Sequence, residues 1–160
     1  MRFAYCVMTC VVLAAPLASA QSAPSQAEIV TAARLRAIAD SLPPAASRTA
    51  QLGRGDGYTY ALTQRDSSGG VESHAAWTDV FVIQKGNGSL LSGGTADGAK
   101  ESTPGEWRGG TIRGGTQRPL RPGDVVVIPA GMPHQMLLDR GNRIAYLAFK
   151  VAAAPAKAGK

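Results

Sequence analysis

Apolar residues run almost unbroken from Phe3 to Leu17, and nowhere later in the chain do they gather at that density. The next patterned stretch is helical. Ser25-Gln26-Ala27-Glu28 has the spacing of a capping box, and Ile29, Ala32, Ala33, Leu35 and Ile38 follow before Pro43-Pro44 stops the run. This predicts one short helix, ending near Asp40 and packed on the outside of the main body. From Asp56 onward the pattern changes to short β segments. Strands are predicted at Tyr58–Thr63, Val71–Trp77, Val80–Gln84, Ser89–Ser92, Trp107–Gly115, Val125–Ile128, His134–Leu138 and Ile144–Val151. Asp66–Gly70 reads as a turn. Gly86-Asn87-Gly88 reads as a hairpin that pairs Ser89–Ser92 back on the preceding strand, and the stretch from Gly93 to about Glu106 reads as a loop. Short strands punctuated by turns every 8–12 residues predict an all-β sandwich or barrel.

The apolar N-terminus changes what the rest of the chain contains. One positive charge at Arg2, the apolar run and Ala18-Ser19-Ala20 together form the pattern of a cleaved export signal, with Gln21 as the new N-terminus. The expected organisation is a signal peptide over 1–20, a helix and linker over 21–50, a barrel over 51–151 and a tail rich in Ala, Pro, Gly and Lys over 152–160. Cys6 and Cys10 leave with the signal, so the mature chain has no disulfide, thiolate ligand or cysteine nucleophile. Without Arg2 the mature chain has 16 Lys and Arg against 11 Asp and Glu, a net charge of +5. That balance favours small anionic molecules or anionic surfaces. The expected location is periplasmic or secreted, with no nucleic-acid partner and no membrane span in the mature form. Gly-Gly-Thr occurs at 93–95, 109–111 and 114–116, twice after an arginine. Inside a β run these read as turns and a bulged strand.

Two histidines remain in the 160 residues, and both stand in patterned surroundings. Gly123-Asp-Val-Val-Val-Ile-Pro129-Ala-Gly131-Met-Pro-His134 has a glycine to turn into a strand buried on both faces, a proline to end its ladder and a second glycine for the turn. The next strand then begins with a histidine. Upstream, Glu72-Ser-His74, Asp79 and Gly86 repeat a second fixed spacing. The first segment resembles the second motif of the cupin superfamily, G-x5-P-x-G-x2-H-x3-N, up to its last position, where Leu138 replaces Asn. The other resembles the first cupin motif, G-x5-H-x-H-x3–4-E-x6-G. There Glu72 stands for the first histidine and Asp79 for the glutamate, and Asp66 falls where the leading glycine belongs.

The resemblance implies a cupin jelly-roll β-barrel with His74, His134, Glu72 and Asp79 converging on a divalent metal. Residues 72 and 74 share a strand face, Asp79 is expected to open the neighbouring antiparallel strand, and His134 comes from a distant one. Two imidazoles with one or two carboxylates suit Fe, Mn, Ni, Co or Zn. Because Asp is a methylene shorter than Glu, Glu72 is expected to be the direct ligand and Asp79 to bind weakly or through a water. If Glu72 does not ligate, it is the natural general base. Weaker candidates are Tyr60 as a catalytic residue, with Tyr58 beside it, and Arg65 or Arg113 as a clamp for a substrate carboxylate. Phe81 and Ile83 share parity with Asp79 and are expected to wall the pocket; Trp77 either shields the site or packs. The implied function is metal-dependent chemistry of dioxygenase, isomerase or lyase type on a small organic substrate, with a homodimer allowed. The alternative is a metal-free cupin that binds a small ligand without catalysis.

Overall fold

The computed structural model describes residues 27–154. The expected signal peptide, its cleavage site, Cys6, Cys10, Ser25, Gln26 and most of the tail lie outside those residues. Helix α1 (Ala32–Ser41) opens later than the Ser25 pattern predicts. Thr31 caps it, its hydroxyl accepting a hydrogen bond from the Arg34 amide at 3.2 Å. Leu42 ends it in an extended conformation, as a residue before proline prefers.

Thirteen strands follow: β1 (Ser47–Gly55), β2 (Tyr58–Arg65), β3 (Glu72–His74), β4 (Trp77–Gly86), β5 (Gly88–Ser92), β6 (Thr95–Asp97), β7 (Lys100–Thr103), β8 (Glu106–Arg108), β9 (Thr111–Arg113), β10 (Thr116–Leu120), β11 (Val125–Ile128), β12 (His134–Leu137) and β13 (Ile144–Ala152). They form a five-stranded sheet in the order β1-β2-β13-β4-β11, a six-stranded sheet in the order β10-β5-β12-β3-β8-β7, and a two-stranded ribbon of β6 and β9. The two large sheets face each other as a sandwich, and among the described residues no ladder joins their edges. Phe81, Ile83, Leu90, Leu120, Ile128, Met136, Ile144 and Tyr146 fill the space between them. Apolar burial between these layers is what holds the two halves of the site together.

Four departures from the sequence reading have physical causes. The stretch Gly86-Asn87-Gly88 is a corner between sheets, because β5 pairs with β10 and β12 and not with β4. Gly86 has φ +78°, and a Cβ there would strike the Arg143 carbonyl. The expected loop from Gly93 to Glu106 contains β6 and β7, both short and solvated. Strand β1 has few apolar residues because it is a sheet edge, so its polar sequence hides it. The strand expected to be buried on both faces, β11, pairs only with β4, leaving Val125 and Val127 63% and 60% exposed.

Parity along β4 and β13 sets which side chains face the interior. Asp79 is opposite Lys150, Phe81 opposite Ala148 and Ile83 opposite Tyr146, and the bulge lies beyond that last pair, between Tyr146 and Ala145. On β2, Lys150, Ala148, Tyr146 and Ile144 face Thr59, Ala61, Thr63 and Arg65. Tyr58 and Tyr60, one residue out of step, lie on the outer face. Substituting Gly86 by Ala should destabilise the protein by about 2 kcal/mol or more, since the left-handed backbone and the carbonyl clash act together. Urea unfolding measures this, and a loss well under 1 kcal/mol would show that the corner adapts.

Candidate metal centre

The outward position of Tyr60 removes it from the site. Its ring stacks on Phe149 at 5.6 Å and on Tyr58 at 6.4 Å, and its hydroxyl donates to Glu28 at 2.5 Å. That carboxylate, and then burial, raise the phenol pKa above 10.0. Neither Tyr60 nor Tyr58 can serve as the catalytic tyrosine expected from the sequence. Arg113 is also spent elsewhere: it pairs with Asp97 at 2.8 Å on the exposed ribbon.

The two motifs meet in the interior, and each spans both sheets. Glu72, His74 and His134 project from β3 and β12 of the six-stranded sheet, where Glu72 and His134 are direct cross-strand partners. Asp79 projects from β4 of the other sheet. The expectation that Asp79 starts a strand paired with the Glu72-Ser-His74 segment is therefore corrected, because the chain changes sheets at the Ala75-Ala76 turn. That turn is tied down by the proline-glycine turn of the second motif, whose Gly131 amide donates to the His74 carbonyl at 2.8 Å. The glycine, at φ +79°, thus aligns the two histidines through the backbone.

His74, Asp79 and His134 are each 2% exposed. His74 and His134 each place Nε2 in the interior, buried and without a hydrogen-bond partner. The opposite ring nitrogens are anchored. His74 Nδ1 meets the Glu106 carboxylate at 2.6 Å, and His134 Nδ1 meets the Met132 carbonyl at 3.0 Å. Those acceptors fix the Nδ1–H tautomer in the neutral rings, leaving both Nε2 lone pairs bare. Around them stand Asp79 Oδ2, at 3.3 and 3.4 Å from the two Nε2 atoms, and the Glu72 carboxylate, at 3.7 and 3.5 Å. Ligand atoms bound about 2.0–2.2 Å from one ion stand about 3.0–3.5 Å from their neighbours, a range that holds three of these four separations, the fourth being His74 to Glu72 at 3.7 Å. One ligand atom each from Glu72, His74 and His134 lies within 4.8 Å of the others.

The group whose ligand atoms all lie within 4.8 Å of one another is Glu72, His74 and His134, which leaves standing the expectation that Glu72 is the direct ligand; Asp79 nonetheless lies as near the two Nε2 atoms as Glu72 does. It stands on the opposite sheet and is aimed by Lys150, whose ammonium donates to Oδ1 at 2.8 Å while Oδ2 faces the histidines. Glu72 is held by Arg108 at 3.4 Å, and Arg108 also donates to Glu106 at 3.0 Å. Sequence reasoning missed Glu106, Arg108 and Lys150. Glu106 and Arg108 give one signal, a charged pair flanking Trp107 on one strand face, which acquires meaning once β8 is seen beside β3; Lys150 gives none. Phe81 does wall the site, its ring 6.3 Å from His134 and 4.8 Å from Tyr146, whereas Ile83 packs in the core.

Burial disfavours charge on all three titrating groups, and the cluster overrides it. The carboxyl of Asp79 is held well below the usual carboxylate range by His134, His74 and Lys150. Glu72 is lowered by His134, Arg108 and His74. His134 is raised from 6.5 to about 9 by Asp79 and Glu72, with the Met132 carbonyl assisting.

No family model matches the chain, and no curated protein matches it. Solved structures do. A protein of Bacillus halodurans matches with a TM-score of 0.58 and 14% identity over 82% of this chain and 86% of that one. The cupin domain of Schizosaccharomyces pombe Cnp3 matches with a TM-score of 0.52 and 9% identity over 71% and 66%. A structure titled as a predicted oxalate decarboxylase from Thermotoga maritima matches at 0.50 and 16% identity over 67% and 81%. The fold is the cupin jelly roll, here as two facing sheets. At these identities the likeness shows fold alone.

The charge cluster gives the metal-free protein a pH signature. Because the His134 pKa is raised on folding, its contribution to stability is complete below about pH 6.5 and is lost as pH rises through about 9. The lowered Asp79 and Glu72 act in the opposite sense, their contribution being lost as pH falls below the ordinary carboxylate range. Between pH 6.5 and 9 the Tm of the metal-free protein should therefore fall, and more steeply than that of His134→Gln. Parallel curves for the two proteins would contradict this arrangement of charge.

Proposed function

We propose that this is an exported cupin that holds one divalent metal through His74, His134, Glu72 and Asp79 and uses it on a small organic substrate. The observation that carries the reading is the pair of buried Nε2 atoms, without partners and encircled by carboxylate oxygens at ligand-to-ligand distances. Two bare imidazole nitrogens beside two carboxylates are a costly arrangement to bury unless a cation joins them. The donor set of nitrogen and oxygen suits Fe, Mn, Ni, Co or Zn. Such an ion supplies Lewis-acid polarisation of a substrate oxygen and, for Fe or Mn, redox chemistry. The Thermotoga maritima structure titled as a predicted oxalate decarboxylase shares the fold, which fits an enzyme and does not name the reaction. Export rests on the N-terminal sequence pattern.

The chain's own residues define the rest of the chemistry. Asp79, Glu72 and Glu106 carry three negative charges against the two positive charges of Lys150 and Arg108, so the cluster is −1 with neutral histidines and +1 once a divalent ion is bound. Glu72 is the more exposed of the two, at 29% against 3% for Asp79. If it leaves the metal when substrate binds, it is the group placed to take a proton. Phe81 excludes water on the His134 side.

A second reading rests on the same geometry, the Glu72 and Asp79 oxygens 3.5 and 3.4 Å from His134 Nε2. With His134 protonated, the cluster is a self-contained ion network, as a metal-free ligand-binding barrel would require. Metal analysis of protein recovered from the exported fraction without a histidine tag separates the two. The metal reading predicts about one equivalent of metal on a chain whose mass begins at Gln21. His134→Ala should lose the metal while retaining its β-sheet spectrum. Because both carboxylates reach the site, Glu72→Gln and Asp79→Asn should each weaken metal binding at least about tenfold, which is about 1.4 kcal/mol. Full metal content in His134→Ala would refute the site.

A further inference from the structure

The outer face of the five-stranded sheet carries two apolar rows that cross it in register. Leu62, Leu147, Val82 and Val125 form one, running from β2 through β13 and β4 to β11. Tyr60, Phe149, Val80 and Val127 form the next. No residue of either row is charged. Such rows stabilise a sheet through their cross-strand pairs, but only one half of this face is covered. Helix α1 packs on β2, and Leu62 is 1% exposed. Tyr60 and Tyr58 lean back over the edge strand β1, where a Cβ on Gly53 or Gly55 would strike their rings. At the far end of the rows Val125 and Val127 stand in solvent, and Val151 on β13 is 42% exposed.

The uncovered half ends in a free edge. Among the described residues β11 pairs only with β4, so its other side presents unpaired backbone groups. Proteins blunt such edges with a lysine, a proline or a bulge, or cover them with a helix. Val125-Val126-Val127-Ile128 has none of the first three: it is wholly apolar, β-branched and regular in its register. That leaves the fourth, a cover from outside the strand's own sheet.

We infer that this half of the sheet is the interface of a symmetric dimer, in which β4 and β11 of one copy pack face to face on those of a second copy. The one-sided cover fixes the arrangement. A two-fold axis running along the strands between β4 and β11 stacks the sheets about 10 Å apart and sets each β11 over the partner's β4. The strand order β1-β2-β13-β4-β11 is then reversed across the interface. Helix α1, standing on β2, comes level with the partner's β11 and two strand spacings, about 10 Å, to its side. A helix is about 10–12 Å thick, so each copy's helix fills the space beside the other's free edge and covers it. The covered half of one copy thus complements the bare half of the other. Three strands and a helix flank give a contact of roughly 900 Å² for the pair, close to the area at which specific interfaces begin. The inference is independent of the metal reading, since the face lies on the outer side of the sheet that carries Asp79.

Sedimentation equilibrium of the purified protein over a range of concentrations tests the assignment. An apolar interface of this small size binds in the micromolar range, so the protein should be mostly dimer at about 100 µM and mostly monomer at about 1 µM. Val127→Lys should raise the dissociation constant tenfold or more while keeping the β-sheet spectrum. Gln117→Lys, at an exposed position on β10 of the other large sheet, should leave it unchanged. If Val127→Lys does not fold, Val125→Thr decides: it keeps the shape, loses apolar surface and should weaken the dimer several-fold. A protein that stays monomeric throughout overturns the inference, as does a dimer that both valine substitutions leave intact. Sedimentation with phosphatidylcholine vesicles by a protein that never dimerises, abolished in Val127→Lys, would give the face to a membrane and overturn it too.

Discussion

Everything in the site depends on two imidazoles turned the same way. His74 and His134 each spend Nδ1 on an acceptor behind them, a carboxylate in one case and a backbone carbonyl in the other, and so present bare Nε2 atoms to a common point. An isolated histidine would have no such preference, because either ring nitrogen can carry the proton. The acceptors therefore matter as much as the ligands. Glu106 is positioned by Arg108 and by the pairing of β8 with β3, and the Met132 carbonyl by the turn that Gly131 makes.

The sandwich supplies the rest by bringing two sheets together. Three of the four candidate ligands come from the six-stranded sheet and the fourth, Asp79, from the five-stranded sheet, so the site exists only while the core between the sheets is packed. The turn at Ala75-Ala76 carries the chain from the six-stranded sheet into β4 of the five-stranded sheet, and the corner at Gly86 carries it back. Lys150, on the strand beside Asp79, extends the same logic: the sheet that delivers the carboxylate also delivers the cation that orients it.

Much of this was legible in the sequence, and the parts that were not share a cause. The motif spacings gave His74, His134, Glu72 and Asp79, because fixed steps along a strand and through a tight turn translate directly into positions. The sheet to which each strand belongs is a long-range property. Thus Gly86-Asn87-Gly88 read as a hairpin, Asp79 was assigned to a strand paired with Glu72-Ser-His74, and β11 was expected to be buried on both faces. Tyr60 failed for a local reason, since its parity with Tyr58 was clear but the face they share was not. Glu106, Arg108 and Lys150 had no motif to mark them, because each acts through a residue distant in the chain. Strand β1 was invisible because an edge strand needs no apolar pattern.

The central claim is that the two Nε2 atoms and the carboxylates facing them bind one metal ion. X-ray absorption on the protein with cobalt bound reads that directly. Two imidazole rings should appear through their outer-shell scattering, together with oxygen neighbours at about 2.0–2.2 Å, and His74→Ala should show one ring or no bound metal. A cobalt shell of oxygen alone, unchanged in His74→Ala, would contradict the account.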